Sequence, residues 1–99
     1  MIGIIARLKI KPGSEAEFEA MSKETIDAVR AHEPGNVFYG LFRNKKTGEY
    51  VFLERWRDKA ALDAHMNAPH MQKVGPALGA LLDGPFDMKQ MEEIEPVKG

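Results

Sequence analysis

Two consecutive apolar segments, 36–43 and 50–57, constrain the fold of this chain more than any other feature. Both are rich in Val, Phe, Tyr and Leu, and the polar link between them contains Gly48, so we predict an antiparallel hairpin. Its even positions are Phe38, Gly40, Phe42, Tyr50, Phe52, Glu54 and Trp56, and its odd positions include Val37, Tyr39, Leu41, Val51 and Leu53. A hairpin with one solvated face alternates apolar with polar residues. Because both sides are largely apolar here, both faces are expected to be covered.

The segment before the hairpin is predicted to form a strand and then a helix. Residues 2–10 carry an apolar side chain at every even position, which is the period of a strand with one buried face. Ser14 and Glu17 have the spacing of a capping box, in which each side chain bonds a free backbone N–H at the helix start. The helix should end at Glu33, because the Pro-Gly pair that follows cannot continue it.

The segment after the hairpin is predicted to be helical with a break, followed by a last strand. Asp58 is the expected N-cap of a helix over 59–66. The sequence Asn-Ala-Pro at 67–69 interrupts it, and the proline suits the first turn of a new helix over 70–82. Residues 86–94 show weak alternation and are predicted to form the last strand.

This order, β-α-β-β-α-β, predicts an α+β protein of ferredoxin-like topology. It has one four-stranded antiparallel sheet with two helices on one face, in a single domain over 1–94 followed by a tail over 95–99. The second face of the sheet would be bare in a monomer although it is apolar. We therefore predict a homodimer through the open sheet face, in which the two sheets form a dimeric α+β barrel.

Charge and composition exclude several classes of function. The 14 Lys and Arg and the 15 Asp and Glu are interspersed and give a net charge of −1, so no nucleic-acid or membrane partner is expected. No apolar run approaches the roughly 20 residues of a membrane span, and residues 1–10 lack a signal-peptide pattern, so a cytoplasmic location is expected. The absence of cysteine excludes disulfides, thiolate metal sites and a cysteine nucleophile.

Glu54 is the residue whose placement is hardest to explain by structure alone. The even side of 2–10 is uninterrupted and apolar, so the even face is assigned to the helices, which places Phe38, Phe42, Phe52, Glu54 and Trp56 in the interior. A buried carboxylate is costly unless it is paired, hydrogen-bonded or protonated. Glu54 is expected near Trp56 and near His65 or His70. Two interpretations remain open: an acid–base pair in an apolar pocket, since burial raises a carboxylate pKa, or an anchor for the second helix.

The three histidines carry the same two interpretations. His65 lies on the sheet-facing side of its helix, as a packed residue or a base, and His70 follows the break, where it positions the broken segment or lines a pocket mouth. His32 ends the first helix, where a histidine favours the helix dipole. We predict no metal site, because the three residues lack a spacing such as His-x-x-x-His.

Three stretches together resemble the antibiotic biosynthesis monooxygenase (ABM) domain family. They are the N-terminal Ile-Ile-Ala-Arg-Leu-Lys-Ile-Lys-Pro-Gly, the segment 53–70 with its Glu-Arg-Trp-Arg-Asp and Ala-Pro-His, and Leu-Leu-Asp-Gly-Pro at 81–85. The resemblance implies a ferredoxin-like fold, a homodimer with a shared barrel, and small, often cofactor-free oxygenases of the quinol monooxygenase type. These act with O2 on quinols or polyketide-type phenols, so no cofactor is expected.

Within that resemblance, catalysis is assigned to His65, His70 and Glu54. A planar substrate would be bound by Trp56, Phe38, Phe52, Phe42 and Met66. One branch of the family degrades haem, with an Asn on the first strand and a ligand His in the second helix. Ala6 and Gly75 stand at about those positions, which makes haem degradation an unfavoured interpretation. Two alternatives stay open: an isomerase of a small carbonyl or sugar-phosphate signal molecule that shuttles a proton, and a non-catalytic dimeric ligand-binding or stress-response protein.

Overall fold

The computed structural model describes residues 1–94, and the predicted tail 95–99 lies outside the described residues. The elements are β1 (Ile2–Leu8), α1 (Glu15–His32), β2 (Asn36–Arg43), β3 (Tyr50–Trp56), α2 (Lys59–Met66), α3 (Pro69–Leu81) and β4 (Asp87–Glu92). The four strands form one antiparallel sheet in the order β2-β3-β1-β4. The predicted ferredoxin-like α+β fold is therefore confirmed, with its second helical segment divided into α2 and α3. No helix of the described part is both long and apolar enough to cross a membrane.

The core lies between the helices and the even side of β1. Ile4, Ala6 and Leu8 are all buried, together with Phe18 and Val29 of α1. The prediction that the even side of this strand faces the helices is confirmed.

The two helix starts differ because their N-cap residues differ in backbone conformation. Asp58 is extended, and its carboxylate accepts the N–H of Ala61 at 2.8 Å, as predicted. Ser14 has φ −103° and ψ 5°, and its hydroxyl makes no capping bond. The predicted capping box is wrong: the carboxylate of Glu15 instead accepts the N–H of Gly13 at 2.7 Å.

The predicted faces of β2 are also wrong. Tyr39 lies opposite Glu54 and Leu41 opposite Phe52, so the odd positions of β2 share the helix-facing side with the even positions of β3. The connection 44–49 contains an even number of residues, so each odd residue of β2 pairs with an even residue of β3. Antiparallel partners point to the same face of a sheet, and the face assignment therefore reverses across this hairpin.

This register moves two predicted interior residues to the open face. Phe38 and Phe42 are 43% and 49% exposed, on the same side of the sheet as Leu53. Tyr39, predicted on the open face, is buried at 4% exposure. The open face keeps its predicted apolar character, but different residues of β2 supply it.

Candidate active site

A cavity of about 170 Å³ lies between the helix-facing side of the sheet and the three helices. It is lined by Ile4, Ala6, Phe18, Met21, Ser22, Thr25, Tyr39, Phe52, Glu54, Leu62, His65, Met66, Met71, Val74, Leu78, Phe86 and Met88. A dry apolar cavity of roughly 150 Å³ is known to hold benzene. The space therefore fits one aromatic ring, and its few polar groups must orient what binds.

Glu54 is a largely buried carboxylate on the wall formed by the sheet. β3 places it on the helix-facing side, where its Oε1 accepts the indole N–H of Trp56 at 3.0 Å. Burial raises its pKa from 4.5 to about 7; the hydrogen bond from Trp56 opposes this shift, and the charge of Glu33 adds to it. At neutral pH a carboxyl with this pKa is present in both its protonated and its ionised form.

His65 presents one ring nitrogen to Glu33 and has the other free. Its Nδ1 lies 3.0 Å from Oε2 of Glu33, and since a carboxylate oxygen accepts, the proton is assigned to Nδ1. Nε2 makes no hydrogen bond within residues 1–94. No fully buried side-chain nitrogen or oxygen of these residues is without a partner, so Nε2 keeps some accessible surface. Because His65 lines the cavity, we infer that Nε2 is accessible from it.

The environment of His65 keeps its ring neutral and fixed in place. Burial lowers its pKa, although the hydrogen bond to Glu33 acts in the opposite direction. The ring also packs against Trp56, with 4.4 Å between the centroids and 38° between the planes. A neutral ring with its proton on Nδ1 offers the lone pair of Nε2 to a ligand, so His65 is a candidate general base.

Glu33 is the residue that sequence reasoning missed. It caps the C-terminal end of α1, and its Oε2 also lies 2.5 Å from Nε2 of His70, in the first turn of α3. The sequence predicted that His65 or His70 would pair with Glu54, but Glu33 is the partner of both. The only sequence signal was a carboxylate at the predicted helix end, and nothing local placed it near α2 or α3.

Tyr39 is a second polar group of the cavity that was not expected there. Its ring contacts those of His65 and Phe52 at centroid distances of 5.5 and 5.7 Å. Burial first, and the charges of Glu54 and Glu33 next, raise the pKa of its phenol well above the usual range. The phenol therefore stays protonated and can donate a hydrogen bond.

The residues predicted to contact a planar ligand have different positions. Phe52 and Met66 line the cavity. Trp56 is fully buried beside Glu54 and His65 and is not part of the lining, so it can act only through these neighbours. The predicted interior placement of Phe38 and Phe42 is wrong because both lie on the open face of the sheet.

His70 lies beside the cavity and outside its lining. It lines a neighbouring cleft between α1 and α3, with 20% of its side chain exposed.

Together the geometry supplies a candidate base (His65), a carboxyl of raised pKa (Glu54) and a phenolic donor (Tyr39) in a small apolar space. Such a site can remove a proton from a hydroxyl or from an activated carbon.

Comparison with known proteins gives a consistent result across nearly the whole chain. The sequence model of a family described as "Antibiotic biosynthesis monooxygenase" matches residues 1–76. A relative from Bacillus subtilis, "Putative monooxygenase YcnE", is 36% identical over 95 residues, covering 93% of this chain and 97% of the relative. "Putative monooxygenase Rv0793" from Mycobacterium tuberculosis is 33% identical over 84 residues, covering 85% and 82%.

Solved structures agree with the sequence relatives. The structure of Rv0793 superposes with a TM-score of 0.89 at 28% identity and covers 98% of both chains. A crystal structure from Caulobacter crescentus, named as a putative antibiotic biosynthesis monooxygenase, gives a TM-score of 0.91 at 33% identity, covering 95% of this chain and 90% of that one.

Proposed function

The chain belongs to the antibiotic biosynthesis monooxygenase family, and from that premise we propose that it is a small oxygenase which oxidises a quinol or related phenol with O2. The observation that carries this proposal is the free Nε2 of His65 at an apolar cavity of single-ring size. The names of its relatives support a monooxygenase, and the cavity supports a substrate with one aromatic ring.

The proposed first step is removal of a phenolic proton by Nε2 of His65. Glu33 holds the ring by its Nδ1–H and stabilises the imidazolium that forms. Protonated Glu54 and the phenol of Tyr39 are hydrogen-bond donors for the oxygens of the substrate. The apolar lining leaves the resulting phenolate poorly solvated, which favours transfer of an electron from it to O2.

The stoichiometry requires no other reductant. A quinol and O2 give a hydroxylated quinone and water, and the quinol supplies all four electrons. The O–O bond and one ring C–H bond break: one oxygen atom forms a C–O bond to the ring and becomes a hydroxyl that takes the place of the ring hydrogen, and the other leaves as water. The two protons released from the hydroxyl groups balance those taken up in forming water. We propose that the reaction proceeds in this form without a bound cofactor.

The test is O2 uptake with a series of single-ring hydroquinones, together with ¹⁸O incorporation into the product. We expect His65→Asn, which keeps a donor towards Glu33 but removes the base, to lower kcat/KM by about 10²-fold or more, the usual contribution of a general base. His32→Asn is the matched control, because His32 is exposed at the end of α1. No uptake by the wild type, or equal rates in wild type and His65→Asn, would overturn the proposal.

An isomerase is the second candidate, because two titratable groups at one cavity can move a proton between adjacent carbons of a substrate. Among the described residues, the lining contains no Lys or Arg to bind a phosphate, so an unphosphorylated carbonyl compound fits better. Deuterium incorporation from solvent without O2 uptake would favour this candidate. Ligand binding without either reaction would favour a non-catalytic binding protein.

We also propose that the chain forms a homodimer through the open face of the sheet. Phe38, Phe42 and Leu53 are exposed there by 43%, 49% and 37%. A second copy offers the same apolar surface and the same twist, so an isologous contact between the two sheets would cover both. The association is independent of the chemistry in the cavity.

A further inference from the structure

Glu33 lies between two imidazole rings that reach it from different helices, and we propose that Glu33, His65 and His70 bind a divalent first-row transition metal ion such as Zn²⁺. One ligand atom from each residue lies within 4.8 Å of those of the other two. The set is enclosed: the side chains of Glu33, His65 and His70 are 9%, 2% and 20% exposed. Glu33 comes from the C-cap of α1, His65 from α2 and His70 from α3.

The present distances are close to those of a metal site. Ligand atoms around a tetrahedral Zn²⁺ lie about 3.3–3.5 Å apart, because Zn–N and Zn–O bonds are roughly 2.0–2.2 Å long. Oε2 of Glu33 lies 3.0 Å from Nδ1 of His65 and 2.5 Å from Nε2 of His70. An ion would need these two pairs to open by up to about 1 Å, and the two ring nitrogens, which lie within 4.8 Å of each other, to come to the same separation. Changes of this size are within side-chain adjustment. His70 is the member best able to move, because it is the most exposed.

The donor set and its surroundings fit such an ion. Two imidazoles and one carboxylate are the protein ligands of a class of zinc enzymes and of non-haem iron sites, and both leave positions open. His70 lines a cleft, together with Glu24 and Lys73, through which an ion could reach the site from solvent. The packing of Trp56 against His65 fixes the orientation of that ring, the role that surrounding groups have in known metal sites.

Metal and proton would compete for the same atoms. In the metal-free protein, N–H groups of the two rings satisfy Glu33, and an ion must displace both protons. When Nδ1 of His65 binds the ion, the single proton of the neutral ring moves to Nε2, so that atom can no longer accept one. If the proposed oxygenase activity exists, the ion would therefore inhibit it, but binding itself does not depend on that activity.

The test is binding of Co²⁺ and Zn²⁺ to the chelator-treated full chain, followed by visible absorption for Co²⁺ and by calorimetry for Zn²⁺. We expect one ion per chain, with the intense visible bands of a four- or five-coordinate Co²⁺ site. Glu33→Gln and His70→Gln should each weaken Zn²⁺ binding by about 10-fold or more, the usual cost of removing a ligand or its support. His32→Gln should bind as the wild type does.

Two results would overturn the inference. One is Zn²⁺ binding to the wild type that is no tighter than binding to His70→Gln. His70 is partly exposed, so this variant should fold even if Glu33→Gln does not. The other is binding that disappears in His32→Gln and persists in His70→Gln, since this places the ion at the surface. Neither readout uses O2 uptake, so failure here and failure of the proposed function are distinguishable.

Discussion

At the scale of single residues, Glu54 is the group whose ionisation the fold alters most clearly. A buried carboxyl with a pKa near 7 is more easily protonated in the folded chain than in the unfolded one. Between pH 4.5 and 7 the folded state therefore binds more protons at this site than the unfolded state does. The contribution of Glu54 to the free energy of unfolding must then fall as the pH rises through this range.

Glu54→Gln should remove that pH dependence. Glutamine keeps an oxygen that can accept the N–H of Trp56, but it does not ionise. The difference in the free energy of unfolding, variant minus wild type, should rise by about 3 kcal/mol when the pH is raised from 4 to 8, at roughly 1.4 kcal/mol per pKa unit. Denaturant unfolding of both proteins at the two pH values measures this. Glu17→Gln, at an exposed position of α1, is the control and should show no such gain; equal pH dependence in wild type and Glu54→Gln would contradict the assignment.

Trp56→Phe should raise the pKa of Glu54 further. The indole N–H stabilises the ionised carboxylate, and phenylalanine fills most of the same space without a donor. The expected result is a titration midpoint above about 7, read from the ¹³C chemical shift of the Glu54 carboxyl, with a stability loss of about 1–3 kcal/mol for the reduced volume. Tyr50→Phe is the control, because the hydroxyl of Tyr50 bonds Glu19 and not Glu54. A midpoint that stays the same or falls in Trp56→Phe would refute this role of Trp56.

At the scale of elements, local patterns predicted the strands and helices well, and the hairpin shows their limit. The bounds of β2 and the break before Pro69 follow from strand-forming residues, polar links and proline, all of which act locally. The face of β2 depends instead on how many residues the turn contains when the strands pair, here an even number. Counting alternation straight through that turn put Phe38 and Tyr39 on the wrong sides.

Close packing between the turn after α1 and α2 positions Glu33 beside the two histidines. A Cβ on Gly35 would lie 2.4 Å from Cβ of Ala61, too close for any two side chains. The carbonyl of Gly35 also accepts the N–H of Arg57 at 2.9 Å, which fixes this approach. Position 35 therefore needs a glycine, because any side chain there would prevent the contact between the turn after α1 and α2.

Gly35→Ala should therefore destabilise the fold and separate Glu33 from α2. We expect a loss of about 1–3 kcal/mol, as for other overpacked sites, measured by denaturant unfolding. Gly79→Ala in α3 is the matched control: no atom lies within 4 Å of the added Cβ, and a helical Gly→Ala change should stabilise by about 0.5–1 kcal/mol. An equally small change in the free energy of unfolding for both variants would show that α2 is not closely packed against the turn at Gly35.

At the scale of the whole molecule, the site is a product of long-range contacts. Glu33 is separated from His65 by 32 positions and from His70 by 37. Sequence reasoning identified Glu54, His65 and the cavity residue Phe52 because each breaks or completes a local pattern. It could not identify Glu33 or Tyr39, since their partners are set by helix packing and strand register.

The apolar open face is the other property of the whole molecule, and it predicts a dimer. Specific dimers bury about 800 Å² on each partner, an area that one face of a four-stranded sheet can supply.

We expect the wild type to sediment as a dimer at micromolar concentration, and Phe42→Lys and Leu53→Lys to sediment as monomers, because each places a charge in the contact. Both side chains are well exposed in the single chain, at 49% and 37%, so circular dichroism should show an unchanged fold. Ala20→Lys, at an exposed position of α1, adds the same charge away from the sheet and should remain dimeric. A monomeric wild type would refute the association, and dimers in both sheet variants would show that the chains pair through another surface.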